Sequence, residues 1–273
     1  MNASMHQIPS RKARLALVSV VVLVCSVALV LTKVRSRSLR PTNSAAKNRL
    51  ERLPTVILWA WERPSDLRFI DPNKIGVAFL ARTVRLRAGD VIVRPRLQSL
   101  DLPETTRVVA VARIETDSVN RPELSKNQAE AVAEAIAAMS VLPNVSTIQI
   151  DFDALKSEHS FYGDVIFDVR RRLPDNVGLS ITALASWCTY DDWLSDLPID
   201  EAVPMLFRMG PDGKRIRSRL DDGGDFAASL CRQSYGIATG ERSPGLSSSR
   251  RLYVFNPDTW TERSVRSFLE STK

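Results

Sequence analysis

Two aspartates separated by one residue, Asp151 and Asp153, are the side chains in this sequence best suited to acid–base chemistry. They lie in the run IQIDFDA, whose alternating apolar and polar residues are typical of a β-strand. Because alternate residues of a strand share a face, Gln149, Asp151 and Asp153 are expected to line one side of it. The Cα atoms of Asp151 and Asp153 would be about 7 Å apart. Crowded carboxyls can differ in pKa, which would supply one proton donor and one base.

Further charged residues stand near the ends of neighbouring predicted strands. Arg113 and Glu115 share a face of the strand before Asp151, Glu62 ends the first strand, and Arg208 lies near the end of a later one. Three interpretations are open for these groups: ion pairs without a reaction, ligand binding without catalysis, or catalysis. A divalent cation would need more ligands than two aspartates, so no metal site is expected.

Tryptophans at the ends of predicted strands add an aromatic component. Trp59 and Trp61 precede Glu62, and Trp187 stands near the end of the run SITALASWC. Indole faces pack well against the apolar faces of sugar rings, and packing in a hydrophobic core is the alternative for each of them. The candidate catalytic residues are Asp151, Asp153, Glu115 and Glu62. The candidate substrate-binding residues are Trp61, Trp187, Arg113, Arg208 and Gln149.

The small number of histidines and cysteines limits the other chemistry available. Two histidines, His6 and His159, and three cysteines exclude a four-cysteine or histidine-rich zinc site. There is also no Walker loop, no glycine-rich dinucleotide fingerprint and no G-x-S-x-G elbow, so we expect no cofactor. A Ser-His-Asp triad in the body would have to use His159. Cys188 and Cys231 either pair as a disulfide in an oxidising compartment or remain reduced, buried thiols.

Alternating strands and helices must position these residues. The predicted strands cover 55–62, 75–86, 91–97, 107–116, 145–154, 178–188, 201–210 and 251–257. The predicted helices cover 126–139 (after a Ser125–Gln128 capping box), 160–173, 191–197, 221–234 and 261–269. Strands that are apolar on both faces favour parallel pairing. Six or seven of them predict an α/β fold of the (β/α)8 TIM-barrel-like type, complete or incomplete, with an open doubly wound sheet as the alternative.

The N-terminal fifth of the chain carries its positive charge. The net charge is +7, yet residues 1–50 hold nine basic residues and no acid, which leaves 29 basic and 31 acidic residues over 51–273. Residues 15–32 form an uncharged apolar run that would cover about 27 Å as a helix, enough to cross a bilayer core. We predict a short basic tail (1–14), an uncleaved transmembrane anchor (15–32), a basic linker (33–52) and a barrel-like domain (53–273).

This charge distribution decides between classes of partner. A pI near 9.6 is typical of nucleic-acid binding, but the basic residues flank a membrane span. We therefore expect membrane lipid as the partner of residues 15–32 and no nucleic acid. Counting Lys and Arg beside the span favours a cytoplasmic body, whereas a short N-terminal tail that stays inside favours a periplasmic one. We expect the second arrangement, a single-pass inner-membrane protein.

Several long runs carry a family resemblance: ILWAWERPSDLRF, GVAFLART, IQIDFDA, SITALASWC, VPMLFRMG and RLYVFNP. Together they span 54–260 and resemble a bacterial family, domain of unknown function 3142. The resemblance implies an envelope-associated barrel protein and carries no established activity. The run around Asp151 is also loosely similar to the D-x-x-D-x-D-x-E strand of chitinase-like barrel glycosidases, with Asp151 and Asp153 as its second and third acids. Ile148 and Leu155 replace the first acid and the glutamic acid proton donor.

Taken together, these features favour a membrane-anchored barrel protein that binds or hydrolyses envelope glycans at a strand-end site lined by carboxylates and tryptophans. If the protein hydrolyses glycans, a carboxyl separation of about 5 Å would indicate retention and one of about 6.5–9.5 Å inversion. The alternative is a non-enzymatic envelope scaffold built on a degenerate barrel.

Overall fold

The computed structural model of the chain describes residues 49–272. The predicted basic tail, the predicted transmembrane anchor at 15–32 and most of the predicted linker lie outside the described residues. Across 49–272, no helix combines the length and the apolar character needed to cross a bilayer. The described part of the chain is thus the predicted barrel-like domain preceded by the last residues of the predicted linker.

Eight parallel strands close into a barrel within the described residues. The strands are β1 (Val56–Ala60), β2 (Ser65–Asp66), β3 (Ile75–Arg87), β4 (Asp90–Pro95), β5 (Leu100–Asp101), β6 (Val108–Thr116), β7 (Val145–Asp151), β8 (Gly178–Leu184), β9 (Glu201–Met205), β10 (Ser234–Ala238) and β11 (Arg251–Phe255). Around the barrel the order is β1, β3, β6, β7, β8, β9, β10, β11, and β1 pairs with both β3 and β11. The predicted TIM-barrel-like fold is confirmed, and the open doubly wound sheet is excluded.

Two short pairings lie outside this ring. As predicted, β3 continues through a tight turn into β4, which pairs with it in antiparallel fashion. The strands β2 and β5 form a separate parallel pair. Both pairings lie in the connections that lead from one barrel strand to the next.

The barrel strands bury side chains on both faces, which explains why they appear as nearly continuous apolar runs. Ile57 and Tyr253 belong to a cluster of buried side chains inside the barrel. A larger cluster joins the strands to the helices outside it. Ile148 and Ile150 belong to this outer cluster, and Gln149 between them faces inward, as the predicted alternation requires.

Five α-helices lie wholly within the described residues and pack against the barrel. They are α1 (Lys126–Ala137), α2 (His159–Arg172), α3 (Ala185–Tyr190), α4 (Gly213–Asp221) and α5 (Glu262–Ser271). The predicted Ser125–Gln128 capping box is present at the start of α1. In residues 49–272 no α-helix separates β1 from β3, β3 from β6, or β10 from β11. The ring of strands is therefore complete and the layer of helices is not.

Two predicted elements are wrong, and β10 (Ser234–Ala238) was not predicted as a strand. Residues 221–234, predicted as one helix, contain instead the end of α4, a short 3-10 helix and the first residue of β10. The helix α4 begins earlier because Ile216 and Leu220 form its buried face, and it ends before Gly223, whose φ of +79° is left-handed. Residues 185–188, predicted to continue a strand, begin α3.

Residues at the start of the described chain close the floor of the barrel. Leu50 and Leu53 are buried against the interior cluster. The Arg49 guanidinium donates to both carboxylate oxygens of buried Asp200, at 2.9 and 2.6 Å, and Arg251 donates to the Leu50 carbonyl at 2.8 Å. The opposite end, where the strands have their C-termini, is the end at which sites of this fold assemble.

Candidate functional site

A cavity of about 330 Å³ opens at the C-terminal ends of the barrel strands, and we call it the mouth cavity. It is lined by residues of β1, β6, β7, β8, β9 and β11 and by residues that directly follow some of these strands. The predicted site residues that meet here are Trp61, Arg113, Asp151, Asp153 and Arg208. The structure therefore brings together more than half of the residues selected from the sequence.

Of the two acids that line the mouth cavity, Asp151 is the more buried and the one with hydrogen-bond partners. It ends β7, and its side chain is only 13% exposed. The Thr182 hydroxyl donates to its Oδ1 at 2.7 Å, and Nη1 of Arg113 lies 3.4 Å from its Oδ2. Burial raises the pKa of Asp151; Thr182 and Arg113 oppose this, and the charges of Asp153 and Glu115 add to it. The carboxyl therefore keeps its proton to a higher pH than an ordinary aspartate does.

Asp153 stands just beyond β7 and is exposed to solvent. Its carboxylate makes no hydrogen bond or ion pair with any residue of the described chain. The two aspartates thus have different surroundings, since Asp151 is shielded and hydrogen-bonded while Asp153 is free. A difference of this kind allows two neighbouring carboxyls to take different roles.

Arg113 links the acids of β6 and β7. Its Nε lies 3.2 Å from Oε1 of Glu115, and the same guanidinium contacts Asp151. Its central carbon lies 5.8 Å from the centroid of the Trp61 ring, within the range of a cation–π contact. Glu115 lines an adjoining cavity of about 360 Å³ that also reaches Asp153. The ion-pair interpretation therefore applies to Glu115 and in part to Asp151.

Aromatic side chains form the part of the wall that belongs to β1, β9 and β11. Trp61 is half-buried, and Phe207 and Phe255 stack with centroids 5.5 Å apart and planes only 3° from parallel. Buried Trp59 packs edge-on against Phe207 at 6.4 Å. Sequence reasoning missed both phenylalanines. A signal was present, because each continues the inward-facing alternation of its own strand.

Arg96 holds the segment that carries Trp61. Its guanidinium donates to the carbonyls of Ala60, Trp61 and Arg63, which fixes the chain just after β1. Because Trp61 follows β1 directly, these bonds set the position of its ring at the mouth.

Glu62 lies near the mouth cavity but does not line it. The residue is exposed and belongs to a neighbouring cavity of about 290 Å³, which Trp61 and Arg208 also line. The structure therefore separates Glu62 from the cavity that contains Asp151 and Asp153. We call the cavity of about 290 Å³ that contains Glu62 the side cavity.

Gln149 lies beneath the mouth cavity, which corrects its predicted role in contacting substrate. It is fully buried, and its Oε1 accepts a hydrogen bond from the Trp59 indole nitrogen at 3.0 Å. Its Nε2 donates to the Ser180 hydroxyl at 3.2 Å. Gln149 therefore positions Trp59 from inside the barrel.

Trp187 lies away from the mouth cavity, so the structure does not support its predicted role in binding substrate. It belongs to α3, and the residue is only 5% exposed. Its ring packs edge-on against His159 and Trp193, at 5.4 and 5.2 Å between centroids. His159 stacks on Trp193 at 4.2 Å, and burial lowers the pKa of this histidine. The packing alternative applies to Trp187, and His159 belongs to the same aromatic cluster.

Cys188 and Cys231 form a buried disulfide with their Cα atoms 5.8 Å apart. The bond joins α3 to the short 3-10 helix Ser229–Arg232 that precedes β10. Of the two interpretations left open by the sequence, the structure selects the disulfide.

The site offers carboxyls, guanidinium groups and aromatic rings as its chemical groups. Among residues 49–272, no three His, Cys, Asp or Glu side chains converge as a metal-ion site requires. Both oxygens of Asp151 already face Thr182 and Arg113. The arrangement is suited to donating a proton, to hydrogen bonding with hydroxyl groups and to stacking against flat ligand faces.

Sequence comparison places the chain in no family, because no family model matches it and no curated protein matches it either. The resemblance to domain of unknown function 3142 is therefore not confirmed. Among solved structures, the chain is similar to the chitinase domain of the spore coat protein CotE from Clostridium difficile, with 13% identity and a TM-score of 0.39 over 63% of this chain. It covers 62% of that domain, less than two thirds of its length.

A second similar structure is a GH113 β-1,4-mannanase in complex, with 8% identity and a TM-score of 0.44. The match covers 78% of this chain and 91% of the mannanase. At these identities and TM-scores, neither similarity assigns an activity or a substrate to this protein.

Proposed function

We propose that the mouth cavity binds a carbohydrate. The observation that carries this proposal is that aromatic faces and charged hydrogen-bonding groups share one cavity of about 330 Å³. Trp61 and the stacked pair Phe207 and Phe255 offer apolar faces, while Asp151 and Asp153 offer acceptors for hydroxyl groups. A sugar ring presents an apolar face and a polar edge, so it complements a wall of this kind.

The contacts behind the wall support binding to a preformed site. Gln149 holds Trp59 from below, Arg96 holds the segment of Trp61, and Thr182 holds Asp151. A site whose side chains are already ordered loses less conformational entropy when a ligand binds.

Hydrolysis of a glycosidic bond is a second candidate function, which the surroundings of Asp151 favour. The raised pKa of Asp151 suits a proton donor, and the free carboxylate of Asp153 stands two residues away. Leu155, which is 66% exposed, occupies the position of the proton donor in chitinase-like glycosidases. In this protein Asp151 itself would therefore donate the proton.

A screen of the full chain in detergent tests both functions. Binding to a panel of oligosaccharides is measured by titration calorimetry, and hydrolysis is followed by the release of reducing ends. We expect Asp151→Asn with Asp153→Asn to weaken binding and to abolish any hydrolysis. Arg215→Gln, on the outer helix α4, is the control and should change neither.

The outcomes of this screen separate the candidates. Binding without hydrolysis would eliminate the catalytic function and keep carbohydrate binding. If the wild-type protein binds no oligosaccharide at all, the carbohydrate proposal fails and the envelope scaffold becomes the better account.

We also propose that residues 15–32 anchor the protein in the inner membrane with its barrel on the periplasmic side. Support comes from the eighteen uncharged residues between basic flanks. The Cys188–Cys231 disulfide supports the periplasmic side, because disulfides persist in oxidising compartments.

Labelling of an introduced cysteine tests the side on which the barrel lies. Ser248 is exposed, so Ser248→Cys should react with a membrane-impermeant maleimide in intact spheroplasts. Labelling only after lysis would contradict the periplasmic assignment. Recovery of the protein in the soluble fraction would contradict the anchor, and deletion of residues 15–32 gives the reference for that fraction.

A further inference from the structure

Arg208 is an exposed arginine at the mouth cavity whose guanidinium has no acidic partner in the described chain. The other arginines that line the mouth cavity or the side cavity are paired. Arg113 contacts Asp151, and Arg63 lies 3.7 Å from Asp258. Arg208 is thus the cation of this region that remains available to a ligand.

The backbone and a ring hold Arg208 in place. Its φ of +49° is left-handed, which is uncommon for a residue other than glycine. Its N–H donates to Oε2 of Glu241 at 3.2 Å. Its guanidinium carbon lies 5.6 Å from the centroid of the Phe255 ring, which itself stacks on Phe207. The result is an unpaired cation beside an aromatic face.

The charges of the mouth are separated around the barrel. Asp151 and Asp153 belong to the end of β7. Arg208 follows β9, two strands away, and lies against Phe255 of β11, which is four strands from β7. Arg208 also lines both the mouth cavity and the side cavity. A ligand in the mouth cavity would meet Asp151 and Asp153 in one part and the unpaired cation in another. The side cavity adds the exposed Glu62 and the Asp258 carboxylate, which lies 3.7 Å from Arg63.

We propose that the mouth cavity selects acidic saccharides and that Arg208 binds their carboxylate. This inference rests on the proposed function and narrows its class of ligand. The planar guanidinium matches a carboxylate through two parallel hydrogen bonds, which an ammonium group does not reproduce. Trp61, which lines both cavities together with Arg208, offers its ring to the apolar face of the same sugar.

The acidic part of the site gives the bound saccharide a direction. Asp153 repels a carboxylate and accepts hydrogen bonds from hydroxyl groups, so the acidic sugar occupies the Arg208 end. The hydroxyl groups of a neighbouring sugar then face Asp151 and Asp153. A ligand with alternating acidic and neutral sugars, or with one acidic end, fits this arrangement.

The test uses pairs of oligosaccharides that differ only in charge. One pair is 4-O-β-glucuronosyl-glucose, which has one acidic end, and its methyl ester. The other is a tetrasaccharide of alternating glucuronic acid and N-acetylglucosamine and its methyl ester. Calorimetry with the full chain at low ionic strength should show at least about tenfold tighter binding of the acidic member in one pair. Sodium chloride at about 1 M should remove most of this preference, because the screening length falls to about 3 Å.

Variants of Arg208 identify the group responsible. Arg208→Gln should lower the ratio of acidic to neutral affinity about tenfold, and Arg208→Lys should retain part of that ratio. Arg215→Gln is the matched control, since Arg215 also lies against a ring, 4.5 Å from the centroid of Tyr190, but lines neither cavity. This control should leave the ratio unchanged.

Each outcome decides between the inference and the function on which it rests. Equal affinity for acidic and neutral members would overturn the inference and leave carbohydrate binding intact. An acid preference that persists in Arg208→Gln would overturn the role of this residue. If the wild-type protein binds no member of either pair, the inference is overturned. If it also binds no oligosaccharide of the wider panel, the proposed function is overturned with it.

Discussion

At the residue scale, Asp151 shows how neighbouring groups set the behaviour of one carboxyl. Burial raises its pKa, and the Thr182 hydroxyl and Arg113 limit the rise. The folded protein therefore binds a proton at this carboxyl more tightly than the unfolded chain does, which links the site to the stability of the whole domain.

Asp151→Asn is expected to change how stability depends on pH. Because the folded pKa lies above the unfolded value of about 4, this carboxyl makes the wild-type protein less stable as pH rises from about 4 through the folded pKa. The Asp151→Asn variant has no carboxyl at this position, so it does not lose stability in this way as the pH rises. The free energy of unfolding of the wild type minus that of the variant should fall across this window and then stay constant. Urea denaturation at a series of pH values measures it, and a difference that rises with pH would contradict the raised pKa.

Gln149→Leu tests the support beneath the mouth cavity. The change leaves the Trp59 indole N–H and the Ser180 hydroxyl without their partner inside the barrel. An unpaired buried polar group costs about 1–3 kcal/mol, so the free energy of unfolding should fall by about that amount. The exposed Gln98→Leu is the matched control and should stay within about 0.5 kcal/mol of wild type. Equal stability of the two variants would contradict the positioning role of Gln149.

At the element scale, the parts of the site that the sequence predicts correctly are those set by strand geometry alone. The inward face of β7 follows from alternation, which holds in any sheet, so Gln149, Asp151 and Asp153 were selected without knowledge of the fold. How deeply each of these side chains is buried could not be predicted from the alternation. Gln149 is fully buried and Asp153 exposed because one lies inside the closed barrel and the other beyond its rim.

The misplaced and missed elements have local physical causes. The run that contains Trp187 has no residue marking the end of the strand, and the chain turns into α3 where Trp187 packs against His159 and Trp193. The strand β10 was missed because its central Gly236 weakens the strand pattern. A Cβ at Gly236 would stand 2.9 Å from the Met205 sulfur and 3.1 Å from the Trp59 ring. The packing of these two side chains therefore requires glycine at position 236, and that glycine is what weakens the strand pattern in the sequence.

The disulfide is expected to stabilise the connection between α3 and β10. The two cysteines are 43 residues apart, and a bond that closes a loop of this length is worth about 2–4 kcal/mol. Urea denaturation of the wild type with and without reductant measures the effect. In the Cys188→Ala, Cys231→Ala double variant the reductant should have no effect. Unchanged stability of the reduced wild type would contradict this role.

At the scale of the whole molecule, the barrel has a closed floor and an open mouth. Arg49, Leu50 and Leu53 lie at the floor, so part of the segment predicted as linker packs into the barrel. The positive charge of the sequence belongs to residues 1–50, whereas 51–273 are near neutral. The overall charge therefore says little about a site in which acids and arginines lie side by side.

Leu50→Ala tests the packing of the floor. The Leu50 side chain is 2% exposed, and truncating a buried leucine costs about 2–5 kcal/mol. Arg52→Ala, at an exposed neighbouring position, is the control and should change the free energy of unfolding by less than about 0.5 kcal/mol. If Leu50→Ala is as stable as the control, the floor does not depend on this segment.

The most direct test of carbohydrate binding at the mouth is calorimetric titration of the full chain, with the wild type beside Trp61→Ala. The wild type should bind at least one oligosaccharide saturably. Trp61→Ala should weaken that binding about twofold to tenfold, since aromatic contacts contribute about 0.5–1.5 kcal/mol beyond their buried area. Arg215→Gln should bind as the wild type does. Binding that Trp61→Ala leaves unchanged, or no binding by the wild type, would contradict the account.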